Sequence, residues 1–365
     1  MPSELAGRQR ALGRLLAKLS PPGEVRRLMA TADGWDAASW RALAEAGALG
    51  LHLPPPWGNG GSFVDTAAAA EEVGGLLVGV PFLSTVVLAA SALALSGDRD
   101  AAARHLPGIV AGSTTATLAF SADGGRRGTP GQAVTARRSA AGFVLDGHAS
   151  YVLDGHTADL VVVAAGAPVG TSVFTVDARA AGLTRTPLVT LDQTRKLARL
   201  ELAATPATLV GPEGGGAPVV DAALDLGAVA LAAEAVGGAQ RCLDMAVAHA
   251  RSRVQFGRPI GAFQAVKHKL ADVLVAVESA RSVAAAAARA AAEGDPDLAL
   301  LASTAKAHCT EAFVRAASES IQVHGGIGFT WDHDAHLYLK RARSSAVLLG
   351  DTAWHRQRVA RLLGL

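Results

Sequence analysis

Between two long stretches of helical periodicity lies a single island of short β-branched runs, and that order limits the architectures open to the chain. From the N-terminus to about residue 112, apolar positions recur at helical spacing, as with Trp40, Leu43, Ala44 and Gly47. The pattern then changes to Thr114–Phe120, Phe143–Leu145, Ala158–Ala164 and Ser172–Val176, short runs parted by Gly and Asp turns, which predict strands. From Val219 the helical period returns through 221–253, 264–294 and 297–324, with Gly294-Asp295-Pro296 ending one helix and starting the next. Three units are therefore predicted: a helical domain over 1–112, a β domain over 113–214 and a helical domain over 215–365. The Ala-rich stretch Ala284–Ala292 suits a helix that packs closely on its neighbours.

Bulk properties narrow the partner. At 365 residues the chain can bury a large core shared by two or three units. Its 34 basic and 32 acidic residues are spread along the sequence, which leaves no electrostatic footprint for nucleic acid or an anionic membrane. A small molecule or another protein is the expected partner. Cys242 and Cys309 both sit in Ala-rich helical contexts and read as buried packing residues in a reducing cytoplasm. The charges in the first ten residues break any signal-peptide core. Val73–Gly97 is uncharged and long enough to span a bilayer, but its glycines and Pro81 predict a loop and a buried helix instead.

Two segments about seventy residues apart carry the chemistry. Arg253-Val-Gln-Phe-Gly-Arg-Pro-Ile-Gly-Ala-Phe-Gln264 offers a fixed cation (Arg253), amides (Gln255, Gln264), two aromatics (Phe256, Phe263) and a turn, a set suited to a pyrophosphate beside an adenosine. Gln322-Val-His-Gly-Gly-Ile-Gly-Phe-Thr330 runs a helix into Gly325-Gly326, where backbone amides can approach a phosphate. Singly, a Gly-Gly is an ordinary helix cap and an Arg in a turn is ordinarily solvated. As a pair, and with Trp40–Pro54 and Asp192-Gln-Thr-Arg195, they resemble the acyl-CoA dehydrogenase family. The resemblance implies an N-terminal all-α domain, a middle β-barrel or sandwich domain and a C-terminal four-helix bundle. It also implies a tetramer whose FAD is held across a dimer interface, the first segment coming from one subunit and the second from its neighbour. An acyl-CoA substrate and an acceptor of the electron-transfer flavoprotein type would go with it.

Dehydrogenation across Cα and Cβ needs a base for the α-proton, a hydride acceptor for the β-carbon and donors for the enolate oxygen. Matched to the family pattern, the usual base position falls on Leu349, before Gly350-Asp351-Thr352, and the less common one on Gly227. Neither can take a proton. Glu234 lies two helical turns after Gly227 on the same face and is the candidate catalytic carboxylate of the chain, with an ion pair to an Arg as the competing role. Asp351 is expected to cap a last helix over Thr352–Leu363. On the flavin-ring side, Tyr151-Val152-Leu153 stands where relatives carry Trp-x-Thr, so Tyr151 becomes a candidate aromatic wall and Leu153 loses the hydroxyl. Phe120-Ser-Ala-Asp-Gly-Gly125 matches the other ring segment without its usual polar set. Asp332-His-Asp-Ala-His336 has ligand-type residues, but with no further cluster it reads as a helix start, and no metal site is expected.

Kept adenosine-side residues with lost base and ring-side groups resemble the smaller partner of heteromeric bacterial acyl-CoA dehydrogenases of sterol side-chain breakdown. In those, two related chains share one FAD and one of them brings the base. Two other readings stay open: a self-sufficient flavin oxidoreductase using Glu234, and a cofactor-free structural subunit whose glycines serve helix packing.

Overall fold

The computed structural model describes residues 2–122, 133–140 and 142–365. Helices α1 (Pro2–Leu19), α2 (Pro22–Met29), α3 (Ala37–Glu45), α4 (Phe63–Leu76), α5 (Ala90–Leu95) and α6 (Arg99–Val110) come first, with a π-helical turn, Phe82–Ala89, leading into α5. Their starts are chemically marked. Asp36 accepts from the Ala38 and Ser39 amides at α3, and Ser62 and Asp65 form a capping box at α4. The apolar run 73–97 becomes the end of α4, a loop, the π-turn and α5, and among the described residues no helix is long and apolar enough to cross a membrane.

Strands β1 (Ala116–Ala119), β2 (Val134–Ser139), β3 (Gly142–Leu153), β4 (Leu160–Ala167), β5 (Gly170–Asp177), β6 (Leu183–Pro187) and β7 (Leu197–Val210) follow. Pairings β4–β5, β5–β7, β7–β3, β3–β2 and β2–β4 close into a ring, so the sheet is a small barrel with β1 and β6 added outside it. The continuous apolar run of β4 has a simple cause in the two-residue period. Val161, Val163 and Ala165 fill the barrel, whereas Leu160, Val162 and Ala164 pack on the helices. Strands β2, β6 and β7 carry Arg, Glu and Thr on solvent faces, which hides them from a search for apolar runs.

The C-terminal bundle is built from α7 (Gly216–Ser252), α8 (Gln264–Glu293) and α9 (Leu298–His324), with α10 (Ala335–Val347) and α11 (Thr352–Leu362) packed on α9. A hairpin of β8 (Val254–Gln255) and β9 (Arg258–Pro259) joins α7 to α8. Arg358 ties α11 to α7 through both oxygens of Asp225, at 2.5 and 2.8 Å. Helix α4 lies on α7 at backbone contact. A Cβ on Gly237 would sit 1.9 Å from the Glu71 carbonyl oxygen, and one on Gly74 would sit 2.1 Å from that of Glu234. Gly237→Ala is therefore expected to destabilise the protein by at least about 1–3 kcal/mol, read as a lower denaturant midpoint at unchanged slope. An unmoved midpoint would mean that the two helices part freely.

Candidate functional site

Helix α7 ends at Ser252 because Arg253 turns extended and its amide bonds back to the His249 carbonyl at 2.8 Å. The β8–β9 hairpin then reverses over Phe256 and Gly257, both left-handed, with φ of 53° and 75°. That geometry is natural for glycine and costly for Phe256, whose ring is 91% exposed. Phe263 meets it edge-on at 6.1 Å, and the Arg258 guanidinium lies 4.2 Å over the Phe263 ring. Arg253 is exposed and has no ion-pair partner among the described residues. Gln264, the first residue of α8, is exposed as well.

Gln322, from the last turns of α9, shares an open groove of about 340 Å³ with Gln255, Phe256 and Phe263. The two segments that the family resemblance assigns to different subunits thus already meet within one protomer. Gly325, where α9 ends, has φ of 64° and needs its freedom for that turn. Gly326 has neither a positive φ nor any atom within 4 Å of where a Cβ would stand. No packing among the described residues explains it. A glycine in open space beside a groove leaves its backbone approachable by another molecule.

Three imidazoles stack beneath this end of the bundle, His249 on His324 at 4.5 Å and His324 on His333 at 4.2 Å. His324 donates from Nδ1 to the Ser320 carbonyl at 2.7 Å, and His333 Nδ1 accepts from the Ala335 amide at 3.1 Å. The Asp332–His336 segment serves as the start of α10, with Asp334 paired to Arg26 at 2.7 Å, and no metal-holding group of side chains occurs among the described residues.

On the ring side, the β3–β7 register slips between Ala149 and Val152, a bulge that leaves Tyr151 at φ 58° and 45% exposed. The Ser150 amide donates to the Ser121 carbonyl at 3.1 Å, which brings the bulge against the end of the β1 segment. Asp123, Gly124 and Gly125 of that segment lie outside the described residues. Leu153 is buried, and its carbonyl accepts from the Thr117 hydroxyl at 2.5 Å.

The two base positions converge. A Cβ on Gly227 would stand 3.1 Å from Leu349 Cδ1 and 2.5 Å from Leu88 Cδ2. Both leucines are almost wholly buried, and Leu349 holds a left-handed φ of 59°, a strained conformation for a bulky side chain. Lys306, fully buried, supports this loop by donating to the Ala346 carbonyl at 2.8 Å and to that of Gly350. Burial pushes its ammonium down to about 7. Asp351 accepts from the Trp354 amide at 2.8 Å and caps α11.

Glu234 shares the face of α7 with Gly227 but faces another set of groups. Its Oε1 accepts from Arg341 at 2.6 Å and from Arg195. Arg341 also donates to Asp192 at 2.8 Å, and Asp192 accepts from the Thr194 amide at 3.0 Å. Two carboxylates and two guanidiniums thus balance inside the protein, all with side chains at most 7% exposed. Burial opposes the Arg341 charge, yet Asp192 and Glu234 outweigh it and hold its proton more tightly than usual. Glu234 Oε1 is thus engaged by two donors.

Glu234, Arg195 and Arg341 also line a cavity of about 40 Å³, together with Leu153, Asp154 and Lys196. Asp154, which sequence reasoning passed over, bonds to the Ser84 hydroxyl at 2.5 Å, and burial pushes its carboxyl up to about 6. Its one sequence signal is a carboxylate directly after the apolar end of a strand.

Comparison with known proteins gives consistent matches. The family model "Acyl-CoA dehydrogenase, C-terminal domain" matches residues 214–364, and that for the N-terminal domain matches residues 16–113. The acyl-CoA dehydrogenase IpdE2 of Mycobacterium tuberculosis is 37% identical over 350 residues, covering 95% of this chain and 93% of that protein. Among solved structures, a chain of the ChsE4-ChsE5 complex from Mycobacterium tuberculosis superposes with a TM-score of 0.89 at 31% identity, covering 99% of this chain and 97% of the other. A chain of the Tcur3481-Tcur3483 steroid ACAD gives a TM-score of 0.90 at 30% identity, covering 100% and 98%.

Proposed function

The chain belongs to the acyl-CoA dehydrogenase family, oxidoreductases acting on CH–CH bonds, and from that premise we propose that it is a flavoprotein subunit lacking its own base. It would contribute to α,β-dehydrogenation of an acyl-CoA thioester within a tetramer whose related companion supplies the carboxylate. The observation that carries this reading is the meeting of Gly227, Leu349 and Leu88, where apolar groups occupy both positions that could bear the base. Two of the solved relatives are described as pairs of chains, one of them a steroid ACAD, which supports a companion and a sterol-derived acyl group.

FAD fits the adenosine side. Arg253 would meet the pyrophosphate, Phe256 and Phe263 would flank the adenosine, and Gln255, Gln264, Gln322, Gly325 and Gly326 would complete the holding set. Tyr151 would face the ring. When bound, FAD supplies the acceptor for the β-hydride. The open space at Gly326 favours a bound ligand over a cofactor-free subunit, because packing among the described residues gives that glycine no reason. The reading that uses Glu234 as base loses ground to the two arginines engaging it.

A charge-assisted contact to phosphate is worth about 1.5–3 kcal/mol, so Arg253→Ala is expected to weaken FAD by at least tenfold. Flavin fluorescence titration of the assembled protein checks this. Equal affinity in intact oligomers would remove Arg253 from the site, and absence of flavin from the wild-type assembly would remove FAD.

A further inference from the structure

We propose that Asp154 is a positioning residue for the ring-side segment Tyr151–Leu153, acting through Ser84 and Pro81 as a proton-dependent latch. This rests on the FAD reading above for its functional consequence, and the latch itself stands on the contact between Asp154 and Ser84. The segment is held in an unusual shape, with left-handed residues at both ends, Tyr151 at 58° and Asp154 at 51°. Three bonds pin its C-terminal end: the Asp154 amide to the Lys196 carbonyl at 3.0 Å, Thr117 to the Leu153 carbonyl, and the Asp154 carboxyl to Ser84. The last reaches from the barrel to the π-helical turn that carries Leu88.

Ser84 has a single hydroxyl proton and two oxygen neighbours, the Pro81 carbonyl at 3.1 Å and Asp154 Oδ2 at 2.5 Å. With Asp154 ionised, that proton can serve only one of them fully. With Asp154 protonated, the carboxyl donates to Ser84 and Ser84 donates to the Pro81 carbonyl, which also takes the Thr85 amide at 3.0 Å, so the hydroxyl no longer divides its proton between two acceptors. The proton that closes the chain comes from solvent and rests on Oδ2. The charges around the carboxyl are His156 on its own turn, Arg195 and Lys196 before β7, Glu234 on α7 and Arg341 on α10. Arg195, Arg341 and Glu234 are occupied with one another, and Lys196 donates to the Met29 carbonyl at 2.8 Å. None of them forms an ion pair with Asp154, and burial favours the neutral carboxyl.

A carboxyl pushed up to about 6 in the folded protein contributes stability that is complete below its unfolded value of 3.8 and is lost as pH rises through 6. An amide in its place donates permanently. The test uses wild type, Asp154→Asn and Asp154→Ala, titrated with FAD in the assembled protein, with thermal unfolding of each followed from pH 5 to 8. Asp154→Asn is expected to bind FAD like wild type at pH 5 and about threefold more tightly at pH 8. Asp154→Ala should bind at least tenfold more weakly throughout. The unfolding temperature of Asp154→Asn should draw ahead of wild type as pH passes 6. Equal FAD affinity of wild type and Asp154→Ala would overturn the positioning role, and a pH-independent gap between wild type and Asp154→Asn in unfolding would overturn the latch. If wild type takes up no FAD at any pH, the cofactor reading and the positioning role fall together, and the unfolding gap alone decides the latch.

Discussion

The isolated chain is expected to dehydrogenate acyl-CoA at no more than about 10⁻² to 10⁻⁴ of the rate of the complete assembly. General bases contribute about 10² to 10⁴ in rate, and neither Gly227 nor Leu349 can accept a proton. The loss goes beyond one missing group, because Leu88 and Leu349 fill the space in front of Gly227. Leu349 nevertheless keeps a left-handed backbone in a loop held from below by Lys306. Dye reduction by the chain alone, against the chain co-expressed with a larger homologous subunit, measures the difference. Turnover by the lone chain equal to that of the pair would sink the companion reading.

Glu234→Ala is expected to cost about 3–5 kcal/mol of stability, because it strips the shared carboxylate from two buried guanidiniums. Asp192 still compensates Arg341, whereas among the described residues Arg195 is left with the Ser345 hydroxyl as its hydrogen-bond partner at 3.1 Å. A buried cation that loses its directly bonded carboxylate is among the few changes that reach this size. Glu234→Gln should be destabilised in the same direction, since the amide keeps an acceptor oxygen but no charge. Chemical unfolding of the three proteins decides between structure and catalysis for this residue. A Glu234→Gln protein as stable as wild type, with FAD retained and a native activity abolished, would reinstate Glu234 as the base.

The order helical, β, helical was legible because periodicity is a local property, and the long apolar faces of α7, α8 and α9 repeat it over many turns. Strands β2, β6 and β7 were not legible, because a barrel wall exposes one face and its charged residues mask the alternation. Of the candidate site residues, Gln255, Phe256, Phe263 and Gln322 could be named from their wording, and the structure gathers them in one groove. Tyr151 could be named as well, but its exposure comes from a bulge that no residue type announces.

The sequence by itself determined what is covalent and local: the three-part order, the helix cap at Asp351, the adenosine-side wording, and the absence of a proton acceptor at positions 227 and 349. Only the tertiary structure decided the partners. Spacing placed Glu234 and Gly227 on one helix face, yet the fold set Glu234 against Arg195 and Arg341, from the approach to β7 and from α10, and Gly227 against leucines from the π-turn and the loop before α11. Asp154 gained its short contact with Ser84 from a residue seventy positions away. The physical reason is the same in each case: charge balance and burial are set by the elements packed opposite a side chain, and those neighbours come from distant parts of the chain.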